Sequence, residues 1–118
     1  MDMELLINVY AVFLHKHSSE PVHGKQYSVR LFDQDPVTDD FLGETTPDAS
    51  GKVHFKIDPK QWRSEDSLNE TTPDFYMVVM CEGQAIFKTP VAIDVRMEAD
   101  AHFNAAEGEW IDLGTFLI

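Results

Sequence analysis

The sequence predicts an all-β protein, an antiparallel β-sandwich of about seven strands with Greek-key connections. Three observations carry that prediction. Apolar residues recur with period two in nearly every apolar segment, which is the spacing of side chains on one face of a strand. Turn signals rich in Gly, Pro, Asp and Asn punctuate these segments at regular intervals. Helical periodicity is almost absent. With 118 residues, 43% of them apolar and eight of them Phe, the chain can supply one core without staples. A single domain spanning residues 1–118 is therefore expected.

The elements follow in order. In MELLINVYAVFLHKH, Leu5, Ile7, Val9, Ala11 and Phe13 share one face and Leu6, Tyr10, Val12 and Leu14 the other. A strand apolar on both sides belongs in the middle of a sheet or at an interface. SSEPVHG is a turn-rich connection. QYSVRLF alternates, with Tyr27, Val29 and Leu31 inward and Ser28 and Arg30 outward. Residues 31–52, LFDQDPVTDDFLGETTPDASGK, read as an acidic loop closed by a turn at Asp48 and Gly51. KVHFKID resumes alternation with Val53, Phe55 and Ile57 inward. Residues 58–73 are polar; a short helix near Ser64–Asn69 has only Trp62 and Leu68 to anchor it. DFYMVVMC and QAIFKTPVAIDV flank Glu82-Gly83, the spacing of a two-residue hairpin. MEADAHFNAAEG reads as a loop, and EWIDLGTFLI as the last strand.

Charge and cysteine content narrow the function classes. Nine Lys and Arg against 21 Asp and Glu leave a net charge of −12, which repels phosphate backbones and anionic lipid. Nucleic acid is excluded as a partner, and membrane contact would follow only through bridging Ca²⁺. Cys81 is the single cysteine, so no internal disulfide forms. No charged-then-apolar leader opens the chain, which predicts a cytoplasmic location, or a secreted one where a leader has been trimmed. Edge strands of sandwiches pair readily, so a homodimer is one expected assembly.

YSVRLFDQDPVTDDFLGE, TTPDASGKVHF, TPDFYMVVMCEG and the closing WIDLGTFLI, taken in that order, resemble the transthyretin-like β-sandwich family, in particular its nematode type. The likeness spans roughly residues 25–118 and rests on the order of the segments. It implies the sandwich fold and a binding function without catalytic residues. Members of that type are secreted and carry paired cysteines; Cys81 stands alone. The C-terminal Tyr-Arg-Gly-Ser signature of the 5-hydroxyisourate hydrolase branch does not occur in this sequence. A second, local resemblance joins DQDPVTDDFLGE to the loop of calcium-binding C2 domains. Carried over, it makes Asp33, Asp35 and Asp40 (or Asp39) the Ca²⁺ ligands.

The residues themselves leave two readings of this loop. Asp33 and Asp35 continue the inward face of Tyr27, Val29 and Leu31, with Asp39 and Asp40 placed to close over them. Such crowding repels unless a cation neutralises it, and Ca²⁺ takes six to eight oxygens. Alternatively the carboxylates are Asx-turn acceptors in a solvated turn beside Pro36. His15, His17 and His23 have a spacing that zinc could use, and a small hydrolase with a His-lined cleft is a third class to weigh. The expectation carried forward is a non-catalytic module that recognises a protein or small molecule through the sandwich tip at residues 33–48, with Asp39 and Asp48 as contacts. The alternatives are a C2-like calcium-dependent lipid- or protein-binding module, and the hydrolase.

Overall fold

Burial alternates along Lys52–Ile57 throughout and along most of Ile7–Leu14 and Tyr27–Asp33, and that alternation builds two stacked sheets. A computed structural model describes residues 7–35, 37–57, 74–92, 102–104 and 108–118. Eight strands run through them: β1 (Ile7–Leu14), β2 (Tyr27–Asp33), β3 (Asp40–Thr45), β4 (Lys52–Ile57), β5 (Phe75–Cys81), β6 (Gln84–Lys88), β7 (His102–Asn104) and β8 (Gly108–Leu117). One sheet has the order β4-β1-β8-β7 and the other β3-β2-β5-β6. The protein is an all-β sandwich.

The core lies between the sheets. Val9, Ala11 and Phe13 of β1 and Val53, Phe55 and Ile57 of β4 face Val29 and Leu31 of β2 and Phe75, Met77 and Val79 of β5, all buried. The outward residues of β4, Lys52, His54 and Lys56, are exposed. Phe13, Phe87 and Phe116 cluster at one end, with Phe13 and Phe116 stacked at 5.5 Å. Most pairings are antiparallel, but the first and last strands, β1 and β8, lie side by side and run parallel. Their register shifts between Tyr10 and Val12. There Asp112 accepts the Gly114 N–H at 2.9 Å and Gly114 takes a φ of 114°. The Asp-x-Gly-Thr ending is thus a β-bulge.

Two segments read as loops contain strands. β3 lies inside the acidic stretch, and its Phe41-Leu42 pair hides the alternation because the β2–β3 register shifts between Leu31 and Phe32. The extra residue of that bulge lets Leu42 turn into the core while Phe41 stays outside. β7 lies inside MEADAHFNAAEG and is only three residues long. The strand beginning at Gln84 ends at Lys88, earlier than its apolar pattern suggests; Ala92 rejoins the sheet by donating its N–H to Phe75 O. The short helix at 64–69 lies outside the described residues.

Two turns depend on glycine. Glu82 and Gly83 have φ values of 51° and 82°, the left-handed pair that a tight hairpin needs. Gly51 has a φ of 76°, and a Cβ there would stand 2.2 Å from Phe13 O, because Gly51 O accepts the Phe13 N–H at 2.8 Å. Nothing lies within 4 Å of a Cβ at Gly83. The two positions separate backbone strain from collision. Gly83→Ala should lose about 1 kcal/mol and Gly51→Ala more than about 2 kcal/mol in denaturant unfolding. Equal losses would show that the close approach of Gly51 to β1 is not a constraint.

Candidate functional site

The acidic residues singled out by sequence separate into two groups. Asp33 ends β2 and Asp40 begins β3, and the two are register partners. β3 then carries the chain back along the sandwich, roughly 17 Å over its six residues, so that Thr45 stands opposite Val29. Asp48 is therefore at the other end, where β1 finishes. Its carboxylate accepts the N–H groups of Ser50 at 2.8 Å and Lys52 at 3.0 Å, which builds the turn that leads into β4. Asp39 and Asp48 do not share a contact surface, because a whole strand stands between them.

The Asp33 end is a loop held by its own carboxylates. Asp33 is 2% exposed, since it occupies the inward face after Val29 and Leu31. Its Oδ1 accepts the Asp74 N–H at 2.9 Å, and the Gln34 N–H donates to Asp74 O at 2.8 Å; together they tie the hairpin to the entry of β5. Asp35 Oδ1 accepts the Val37 N–H at 3.0 Å, an Asx-type turn. Asp39 Oδ1 accepts the Asp35 N–H at 3.1 Å, and its Oδ2 accepts the Tyr76 hydroxyl proton.

The carboxyls of the neighbouring residues Asp39 and Asp40 are shifted in opposite directions. The hydroxyl of Tyr76 and the N–H of Asp35 hold the Asp39 carboxyl below its ordinary range, with a smaller contribution from Lys88. Asp40 moves the other way, raised by its partial burial and by the charges of Asp35 and Asp39. Tyr76 is pushed up to about 12 by burial and by the bond to Asp39, so it stays a donor at neutral pH. Outside the loop, Glu44 accepts from Ser28 Oγ at 2.9 Å and from Arg30 Nε at 3.1 Å, and these bonds lower its carboxyl. That pair is exposed and adds little stability.

The rings of the outer face complete the site. Phe32 lies opposite Phe41 on one side and Tyr76 on the other. Phe32 and Tyr76 stack at 5.2 Å and 13°, Phe32 and Phe41 tilt at 5.7 Å, and Lys88 Nζ sits 4.5 Å over the Tyr76 ring. Sequence reasoning placed none of Phe32, Tyr76 or Lys88 in the site. The available signal was Tyr76, an outward position in a strand otherwise apolar on both faces.

The metal expectation meets a structural obstacle. Among the described residues no group of three or more His, Cys, Asp or Glu side chains stands together to hold a metal ion. The reason is visible in the bonds: Asp33, Asp35 and Asp39 turn oxygens toward backbone N–H groups of the loop and of Asp74. The histidines are likewise dispersed. His15 meets Tyr27 edge-on at 6.0 Å, His17 and His23 are exposed, and His54 bonds Asn8 Oδ1 at 2.8 Å and stacks on Tyr10. Cys81 is half-buried at the end of β5.

No protein-family model matches the chain, and no curated protein matches it. Among solved structures it is similar to a 9R-lipoxygenase from Cyanothece, with a TM-score of 0.58 and 19% identity. That similarity covers 100% of this chain and 17% of the lipoxygenase chain, so the chain spans less than a fifth of that enzyme's length. At this identity the likeness concerns the fold alone. The class defined is a β-sandwich of two four-stranded sheets.

The carboxyl shifts predict how stability depends on pH. Asp39, lowered in the fold, contributes fully above about pH 4, and that contribution is lost as pH falls through its folded value. Asp40, raised in the fold, contributes below about pH 4 and loses that contribution as pH rises through its folded value. Asp40→Asn should therefore raise the neutral-pH melting temperature, and Tyr76→Phe should lower it while returning the Asp39 carboxyl toward its ordinary range. Carbon-detected NMR titration of the Asp carboxyls reads both. An unchanged Asp39 titration in Tyr76→Phe would remove the hydroxyl as its cause.

Proposed function

We propose that the chain is a non-catalytic binding module, a sandwich of transthyretin-like type that recognises a protein or small-molecule partner through the β2–β3 hairpin. One observation carries the reading: the hairpin's own carboxylates accept its backbone N–H groups while Val37 and Phe41 face solvent. Val37 is 90% exposed and Phe41 57%. An ordered loop with presented apolar side chains loses little entropy on binding, which is how pre-organisation gains affinity. Loops at the ends of a sandwich are free to vary without disturbing the core.

With a partner isolated from the source organism, Val37→Ser and Phe41→Ser together should weaken binding about tenfold or more, with the melting temperature little changed. Unchanged affinity would move the contact away from the hairpin.

A calcium-dependent module is the second reading, favoured by one specific feature: Asp40 is raised first by its partial burial and then by the neighbouring charges of Asp35 and Asp39, and a cation would relieve the charge part. Ca²⁺ binding at 100 times its Kd would add about 2.7 kcal/mol to stability. A melt at millimolar Ca²⁺ that matches the melt in chelator, with unshifted amides at residues 33–40, eliminates this reading.

A further inference from the structure

The outward face of β4 is cationic in a chain that is strongly acidic. Lys52, His54 and Lys56 alternate with the buried Val53, Phe55 and Ile57, so their side chains leave one face, and all three are exposed. β4 is an edge strand of its sheet, and these residues stand opposite Val12, Tyr10 and Asn8 of β1. None of those three is acidic. The row is ordered against β1. Lys52 Nζ sits 4.5 Å from the Tyr10 ring centroid, the His54 ring stacks on Tyr10 at 4.4 Å, and His54 Nε2 bonds Asn8 Oδ1 at 2.8 Å. Two carboxylates border the row, and both are turned to backbone donors. Asp48 accepts the N–H groups of Ser50 and Lys52, and Asp112, opposite Tyr10 on β8, accepts that of Gly114. Among the described residues, neither the Lys52 nor the Lys56 ammonium forms an ion pair.

Lysines on an edge strand discourage unwanted strand pairing, but that protection does not need Lys52 and His54 held on Tyr10. Partial desolvation, then the charges of Lys56 and Lys52, push the His54 imidazole below its ordinary range. At neutral pH the row is therefore two ammonium groups around an uncharged ring. Lys52 and Lys56 are four residues apart, roughly 13 Å along a strand. That is the spacing of side chains i and i+4 in a second extended chain, and a lone small anion cannot span it. The net charge of −12 does not forbid an acidic partner. At physiological ionic strength charges beyond about 8 Å are largely screened, and the opposite sheet lies roughly 10 Å behind the row. We propose that the outward face of β4 with Tyr10 docks an extended acidic segment of a partner polypeptide, one carrying Asp or Glu at alternate positions, with Lys52 and Lys56 as its two charged contacts. This surface lies on the other sheet from the β2–β3 hairpin and does not rest on the reading of that hairpin.

The test uses the full chain, isotope-labelled, and three synthetic peptides of equal length: alternating Glu and Thr, alternating Gln and Thr, and a block of Glu followed by a block of Thr. The alternating Glu peptide should shift the amides of residues 52–56 and bind about tenfold tighter than the Gln peptide. It should also raise the titration of the His54 ring, since its carboxylates offset the two lysine charges. Lys52→Gln and Lys56→Gln should each weaken it about threefold or more, and Lys56→Arg, which keeps the charge, should retain it. Melting curves report that the variants are folded. Equal binding of the Gln peptide overturns the charge complementarity, and equal binding of the Glu-block peptide overturns the extended register. Matching shifts from inorganic phosphate, or from an oligothymidylate of equal charge, overturn a polypeptide partner. Self-association of the chain that is lost in Lys52→Gln overturns a separate partner and makes the occupant a second copy. A Glu peptide that shifts amides elsewhere, or that is indifferent to both lysine substitutions, overturns the docking surface itself.

Discussion

The register between β2 and β5 is the constraint on which the rest of the structure depends. Tyr27 to Asp33 pairs with Cys81 to Phe75 without a break. That single alignment sends Val29, Leu31, Met77 and Val79 into the core and leaves Phe32 and Tyr76 stacked on the other face of the sheet. A slip of one residue would exchange the faces, driving Arg30 and Phe32 inward and exposing Leu31. The same alignment brings the Tyr76 hydroxyl to Asp39 and the Asp74 N–H to Asp33. The hairpin owes its shape to a strand more than thirty residues away in the chain.

The electrostatics of the hairpin follow from how its carboxylates are satisfied. Asp33, Asp35 and Asp39 each accept backbone or hydroxyl protons, which offsets their burial and mutual repulsion. Asp40 is partly buried and repelled by Asp35 and Asp39, with no comparable donor among the described residues, and its carboxyl rises while that of Asp39 falls. A cluster that looks uniform in sequence thus contains carboxyls shifted in opposite directions. The difference is one of partners, since the residue type is the same throughout.

Alternation made most of the fold legible. β1, β2, β4 and β5 follow from their own residues, because burying one face of a strand requires period two, and the Glu82-Gly83 hairpin follows from its spacing between apolar runs. β3 was hidden by its bulge, which sets Phe41 and Leu42 next to each other and breaks the period. β7 is too short to show one. The parallel placement of β8 beside β1 has no local signal, since it joins the two ends of the chain. The acidic site was legible as a cluster of Asp residues, yet Asp48 belongs to another turn, and Tyr76, Phe32 and Lys88 enter through pairing.

The sequence by itself determined that this is an all-β sandwich, which residues fill its core, and where its acidic turns lie. Those properties are local: side-chain direction, turn chemistry and charge are written residue by residue. Only the tertiary structure decided which carboxylates face each other, which rings flank them and which apolar side chains remain in water. The physical reason is that strand pairing acts across long stretches of chain, and each register places a residue beside neighbours its own segment does not name.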